Sequence, residues 1–181
     1  MPTDDGPGGP SPYGAHVLVL VIRHAYAGDK ASWPGPDADR PLDATGHADA
    51  EALARAIGDL PVERVASSPT RRCLDTVAPF ARARRLSITP CEDLAVGSPR
   101  PLLDVVLGAT APMTLCTHGE AMGPLLDALR GTATVDAALT DDEWLLRKGT
   151  AWALRVDGRT VTHLRHITPR SARAHSGDPA G

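Results

Sequence analysis

The residues of this 181-residue chain best suited to chemistry are two histidines and two arginines. Arg23 and His24 follow directly on the apolar run HVLVLVI, from His16 to Ile22. Arg71 and Arg72 come just after Ser67-Ser68-Pro69, and His118 comes after Met113 to Thr117. A neutral imidazole can attack phosphorus, and a second imidazole can neutralise or hydrogen-bond the group in transit. Guanidinium forks match phosphate oxygens two at a time and keep their charge. Taken singly, each residue has a plain alternative: a solvated strand end for Arg23 and His24, a surface position for one of the two later arginines, a satisfied helix-cap imidazole for His118. Taken together they describe a phosphate site. The sequence shows no carboxylates clustered at metal-ligand spacing and no GxxxxGK[ST] loop, so a phosphate-binding loop of that type is not indicated.

The elements that must position these residues are legible from periodicity. His16 to Ile22 is nearly all β-branched or leucine, as in a strand buried on both faces of a parallel sheet. A long polar loop runs to about Pro41. Asp43 then serves as N-cap to a helix whose apolar stripe is Leu53, Ala56, Ile57 and Leu60. A short strand over 63–66 leads to Ser67-Ser68-Pro69, where Ser68 as N-cap and Pro69 at the first helical position predict a helix start. Pro79 is expected to kink or end that helix. Residues 86–89 form a third strand, 101–107 a short helix and 113–116 a fourth strand. Met122, Leu125, Leu126 and Leu129 mark a further helix. Residues 151–156 and 160–164 flank Asp157-Gly158, a hairpin signal. This order predicts an α/β fold: a mostly parallel central sheet with helices on both faces and a C-terminal β-hairpin. Ligands in such sheets sit beyond the carboxyl ends of the strands, and Arg23-His24, Ser67-Ser68 and Thr117-His118 all fall there.

Composition narrows the function classes. A formal net charge of -3 and a pI near 6.1 lack the basic footprint of a nucleic-acid binder, and 3% aromatic residues leave little for stacking on single strands. Cys73, Cys91 and Cys116 are odd in number and show no CxxC spacing, so they read as free thiols of a reducing compartment. The N terminus has no secretory pattern, and the longest apolar run is too short to span a membrane. The expected location is the cytoplasm, with no membrane or nucleic-acid partner; oligomeric state is not readable. Residues 1–14 and 169–181 are rich in Pro, Gly and polar residues and read as disordered, leaving one domain over 15–168. His163 and His166 are tempting metal ligands, but their odd spacing puts them on opposite faces of a strand. No metal and no cofactor is expected.

In motif terms the chain resembles the histidine phosphatase (phosphoglycerate-mutase-like) superfamily. LVIRHA, ending at Ala25, is similar to its R-H-[GA] signature. RPLDATG from Arg40 to Gly46 is similar to R-P-L-x-x-x-G, SSPTRRCLDT from Ser67 to Thr76 to S-S-P-x-x-R-C-x-x-T, and LCTHGE from Leu115 to Glu120 to the second histidine motif. The nearest resemblance is to SixA-type phosphohistidine phosphatases and to the phosphatase half of actinobacterial MutT-type two-domain proteins; no nudix box is present. The resemblance implies that His24 is a nucleophile that becomes phosphorylated, that Arg23 and Arg72 clamp phosphate, and that His118 stabilises the transferred group. Ser67, Thr117 and Gly119 are further candidates for the pocket, and Lys30 or Arg40 for contact with distal substrate charge.

One departure from the family pattern bears on the substrate. Many members carry an acid in an L-x-E setting after the third strand, where this chain reads Leu94-Ala95-Val96. Glu92, Asp93 and Glu120 are nearby alternatives. Lack of a proton donor suits good leaving groups, such as those of phosphohistidine or a phosphoanhydride, better than alkoxides. The expected substrate is therefore a phosphohistidine protein or a phosphorylated small molecule, whether phosphoanhydride or phosphomonoester. The alternatives are a phosphoglycerate-mutase-type phosphotransferase and a catalytically weak module that binds phosphate or phosphoprotein.

Overall fold

The computed structural model describes residues 16–135 and 147–169. The lead-in at 1–14 and all but the first residue of the tail at 169–181 lie outside the described residues. Among the described residues the core is one seven-stranded sheet with the order β3-β2-β4-β1-β6-β7-β5. Its strands are β1 (Val17–Arg23), β2 (Arg64–Ser67), β3 (Ile88–Pro90), β4 (Met113–Thr117), β5 (Thr134–Val135), β6 (Ala151–Asp157) and β7 (Thr160–Ile167). Strands β3, β2, β4 and β1 run parallel, β6 and β7 form the antiparallel hairpin beside β1, and β5 pairs parallel to β7. The expected α/β architecture is the one observed. β5 is an addition: two residues are too few to leave a periodic signal.

Alternation along β1 divides the core into two layers. Val19 and Val21 pack with Leu102, Val106, Met122 and Leu125, which belong to α3 (Leu102–Leu107) and α4 (Gly119–Leu129). Leu20 and Ile22 pack on the other side with Leu53, Ile57, Val77 and Phe80, from α1 (Ala44–Ala56), its cap and α2 (Arg71–Arg84). Each fully buried side chain of this kind contributes about 1.5–3 kcal/mol. The central strand is thus locked from both faces, and so is the position of whatever follows it.

Three local expectations are corrected. The helix after β2 starts at Arg71, not at Pro69, and Thr70 precedes it without a side-chain cap. The Ser68 hydroxyl is engaged elsewhere, 2.9 Å from His118 Nε2. Pro79 does not end α2, which continues to Arg84. Val77, Phe80 and Ala81 are buried on either side of it. Their burial, about 1.5–3 kcal/mol for each large side chain, outweighs the cost of an interior proline, about 3 kcal/mol. The helix after Asp43 stops at Ala56, so Leu60 packs from the following turn and not from the helical stripe. The Asp43 cap is as expected, its carboxylate accepting from the Gly46 amide at 2.7 Å.

Candidate active site

Strand register brings the two histidines together. Arg23 at the end of β1 lies opposite Thr117 at the end of parallel β4, so His24 and His118 emerge side by side. The His24 amide donates to the Thr117 carbonyl at 3.1 Å, and the ring centroids lie 5.2 Å apart at 66°. On the other side of β4, Ser67 lies opposite Cys116, which sets Ser68 beside His118.

Hydrogen bonds fix the tautomers. His24 Nδ1 is 2.8 Å from the carbonyl of Ala25. A carbonyl only accepts, so the proton is on Nδ1 and the lone pair is on Nε2. Burial pushes the His24 pKa down to about 4, aided by His118 and Arg72 and opposed by the Ala25 bond. The imidazole is therefore uncharged at neutral pH, as a nucleophile must be. His118 Nδ1 lies 3.4 Å from Arg72 Nη2, which can only donate, and His118 Nε2 faces the Ser68 and Thr70 hydroxyls at 2.9 and 3.5 Å. The proton of His118 is thus on Nε2.

Arg72 is buried, with Nη1 donating to the Asp37 carbonyl at 2.7 Å and Nη2 lying 3.3 Å from the Asp37 carboxylate. Its Nε is buried with no hydrogen-bond partner among the described residues. Arg23 rests against the start of α4. A Cβ on Gly119 would come within 2.9 Å of its guanidinium carbon, so glycine is the residue that lets this cation lie against the helix N terminus. Behind the site, the Thr76 hydroxyl accepts from the Ala25 amide at 2.9 Å and donates to the Arg72 carbonyl at 2.6 Å. It ties the β1 end to α2. Gly46 is equally constrained: a Cβ there would overlap the Tyr26 carbonyl.

The other candidates are placed as follows. Arg40 is buried and donates to the Asp37 carboxylate at 2.9 Å and to the carbonyls of Ala27 and Gly28 at 2.8 and 3.2 Å, so it braces the loop after β1. Lys30 is 74% exposed and reaches the same carboxylate at 3.7 Å. The Ser67 hydroxyl donates to the Ser68 carbonyl and the Thr117 hydroxyl to the Leu94 carbonyl. Both hydroxyls are buried, and their side chains support the strand ends. Glu92 is exposed, and Asp93 is paired with Arg100 at 2.8 Å. Glu120 sits in the first turn of α4. The amide hydrogen bond there holds its carboxyl below the usual range, against burial, with help from His118, Arg23 and His24. It is ionised at neutral pH, which weighs against it as proton donor. His163 lies opposite Arg155 and His166 opposite Trp152, on the two faces of the hairpin. Among the described residues no group of three or more His, Cys, Asp or Glu side chains is placed to hold a metal ion, and none of the helices is long and apolar enough to cross a membrane.

Sequence reasoning put Ser68 on the rim without giving it a role, and missed Asp37, Thr70, Thr76 and Lys148 as parts of the site. Ser68, Thr70 and Thr76 lie inside the S-S-P-x-x-R-C-x-x-T motif, which could have found them. Asp37 and Lys148 carry no local signal and are recruited by the fold.

Comparison with known proteins agrees with this geometry. Residues 19–95 match the family model described as "Histidine phosphatase superfamily (branch 1)", a span that runs from Val19 within β1 through α1, β2 and α2, with His24 and Arg72. An 8-oxo-(d)GTP phosphatase of Mycolicibacterium smegmatis is 27% identical over 158 residues, 83% of this chain and 48% of that protein. The chain thus spans about half the length of that relative. Among solved structures, the protein histidine phosphatase SixA complexed with tungstate superposes with a TM-score of 0.67 at 19% identity, covering 84% of this chain and 97% of that one. A protein assigned as the phosphohistidine phosphatase SixA of Nakamurella multipartitia gives 0.65 at 21% identity, covering 90% and 99%. At such identities these two show the fold alone. With the family-model match over residues 19–95, the register that pairs His24 with His118 and the buried Arg72 beside them, this chain is similar to the histidine phosphatase superfamily in sequence over its first half and in fold.

Proposed function

We propose that this chain is a metal-independent phosphatase that hydrolyses a phosphohistidine, phosphoanhydride or phosphomonoester through a phospho-His24 intermediate, within one domain over 15–168 in the cytoplasm. The observation that carries this reading is the Nδ1 bond of His24 to the Ala25 carbonyl, which leaves an unprotonated Nε2 in a site with Arg72 and His118. In the first step the Nε2 lone pair forms a bond to phosphorus while Arg23 and Arg72 hold its oxygens. The bond to the leaving group breaks, and His118, with its Nε2 proton, hydrogen-bonds the group in transit. Water then attacks phospho-His24 and releases inorganic phosphate. Of the three candidate acids, Glu92 is exposed, Asp93 is paired with Arg100 and Glu120 is ionised, which favours substrates whose leaving group needs no proton.

The test is phosphate release in excess EDTA from a phosphohistidine protein, nucleoside diphosphates and simple monoesters. Release is expected to survive EDTA and to fall about 10^4-fold or more in His24→Ala. Release that EDTA abolishes, or that His24→Ala leaves intact, would overturn the reading. No release on any substrate would favour the binding-module alternative. The mutase alternative requires transfer to a second position of the same acceptor, which release of free phosphate separates.

A further inference from the structure

Beside the reaction centre, on the hairpin side of β1, the rim opens into a cavity of about 470 Å³. Arg23, Tyr26, Asp49, Arg147, Lys148 and Thr168 are among its walls. Arg23 thus belongs both to the phosphoryl site and to this space. Among the described residues, the cations lining it are Arg23, Arg147 and Lys148, and the carboxylate lining it is that of Asp49.

The segment that carries Lys148 is fixed to the nucleophile by backbone. The Gly149 amide donates to the carbonyls of Arg23 and His24 at 3.1 and 3.2 Å, and the Arg23 amide donates to the Thr150 carbonyl at 3.2 Å. Gly149 has φ +72, a conformation that other residues adopt only with strain, and its Cβ position would press on Asp49. The Thr150 hydroxyl closes the turn onto the Arg147 carbonyl at 2.9 Å. Lys148 is only half-buried, and its ammonium stands 4.9 Å above the Tyr26 ring, a position that steers it without neutralising it. Its pKa is lowered by burial and by the cations of Arg23 and Arg40, with Arg72 adding to them and Asp43 opposing. The ammonium therefore sits in the field of the phosphate-binding arginines.

A single phosphoryl group is answered by Arg23 and Arg72. We propose that the cavity at Lys148 is the leaving-group subsite and takes a second phosphate, so that this phosphatase acts on phosphoanhydrides. The inference rests on the phospho-His24 reading for its chemistry and on the cavity for its specificity. His24 Nε2 bonds to the terminal phosphorus, and the bond from that phosphorus to the bridging oxygen breaks. The electron pair stays on that oxygen, which leaves as part of a phosphate, its new charge met by Lys148 and Arg147. No proton donor is needed, because a phosphate leaves as a stable anion near neutral pH. Water then hydrolyses phospho-His24, and the proton released goes to solvent. A phosphohistidine substrate has no second anion to place in this space.

The test measures binding and turnover separately. Methylenediphosphonate, which cannot be cleaved, and inorganic phosphate are titrated calorimetrically into wild type, Lys148→Met and Lys148→Arg. Wild type is expected to bind methylenediphosphonate about tenfold or more tightly than phosphate, and Lys148→Met to lose about that factor for the diphosphonate alone, as expected for loss of a charge-assisted contact. Lys148→Arg should restore it. In turnover, kcat/KM for inorganic pyrophosphate should fall far more in Lys148→Met than kcat/KM for p-nitrophenyl phosphate. Equal wild-type affinity for the two ligands, or equal losses of both in Lys148→Met, overturns the subsite. The binding outcome is read without turnover, so it is distinct from failure of the phospho-His24 reading, which His24→Ala decides.

Discussion

On the α2 side of the rim, Arg72, Arg40 and Lys30 converge on Asp37, and His118 is held between Arg72, Ser68 and Thr70. Three cations there share one carboxylate, and Arg72 and His118 are buried. On the hairpin side, Arg147 and Lys148 face a cavity with Asp49 across from them, and Tyr26 is 47% exposed. The first side is held in place by bonds within the chain before a phosphoryl group arrives, and fixed groups of this kind are where electrostatic catalysis gains most. The second side has positive charge to offer to a ligand. The contrast separates what the chemistry requires from what the substrate selects.

The contrast can be broken at several points. Arg72→Ala removes the buried guanidinium proposed to clamp phosphate and is expected to lower kcat/KM about 10^2–10^3-fold on every substrate, read by steady-state kinetics. A loss confined to anhydrides would mean the two sides are not distinct. Gly119→Ala pushes a methyl group towards the Arg23 guanidinium. Since Arg23 serves both sides, kcat is expected to fall up to about 10^2-fold, as for a misplaced catalytic group, with the thermal midpoint little changed. A large drop in the midpoint would show that the glycine supports the fold and not the cation. Asp37→Asn keeps the shape of the loop but removes the charge that orients Arg72. It should cost about tenfold in kcat, with a smaller change in KM for pyrophosphate; the reverse split would place Asp37 in substrate specificity.

The smallest effect at neutral pH concerns His24. Its folded-state pKa is about 4 against 6.5 for the free side chain. The acid limb of kcat/KM should therefore fall near pH 4, so that activity at pH 5 exceeds by about thirtyfold that of an enzyme limited by an ordinary histidine. The same shift acts on stability with a defined sign. The unfolded chain binds this proton below about 6.5 and the folded chain only near 4, so this site lowers stability as pH falls from the first value to the second. His24→Gln should flatten that part of a denaturation series against pH. An acid limb near 6.5 would show that His24 is more hydrated than its burial implies.

Much of this was legible in the sequence because the signals were local. The β-branched run of β1, the stripe of α4 and the Asp157-Gly158 turn each follow from a few neighbouring residues, and they put His24 and His118 on one rim. What was not legible depended on pairing across the fold. Ser68 reads as a helix cap until His118 is placed beside it, and then its hydroxyl has a different partner. Pro79 reads as a helix end until the burial of Phe80 is known. Arg40 reads as a free cation on a polar loop, yet the loop folds back to surround it with Asp37 and two carbonyls. Lys148 lies more than a hundred residues from His24 in sequence, and the hairpin beside β1 carries it there.

The Ala25 carbonyl has a stereochemical consequence as well. By fixing the proton on Nδ1 of His24 it leaves one ring nitrogen able to bond to phosphorus. In the proposed reaction the trapped phosphoramidate is therefore a single regioisomer, substituted at the nitrogen remote from the backbone, and one-bond nitrogen–phosphorus coupling in ¹⁵N-histidine-labelled protein would be seen at Nε2 and nowhere else. Each turnover would also displace at phosphorus twice, so a phosphorus made chiral with oxygen and sulfur isotopes would leave the enzyme with its handedness retained.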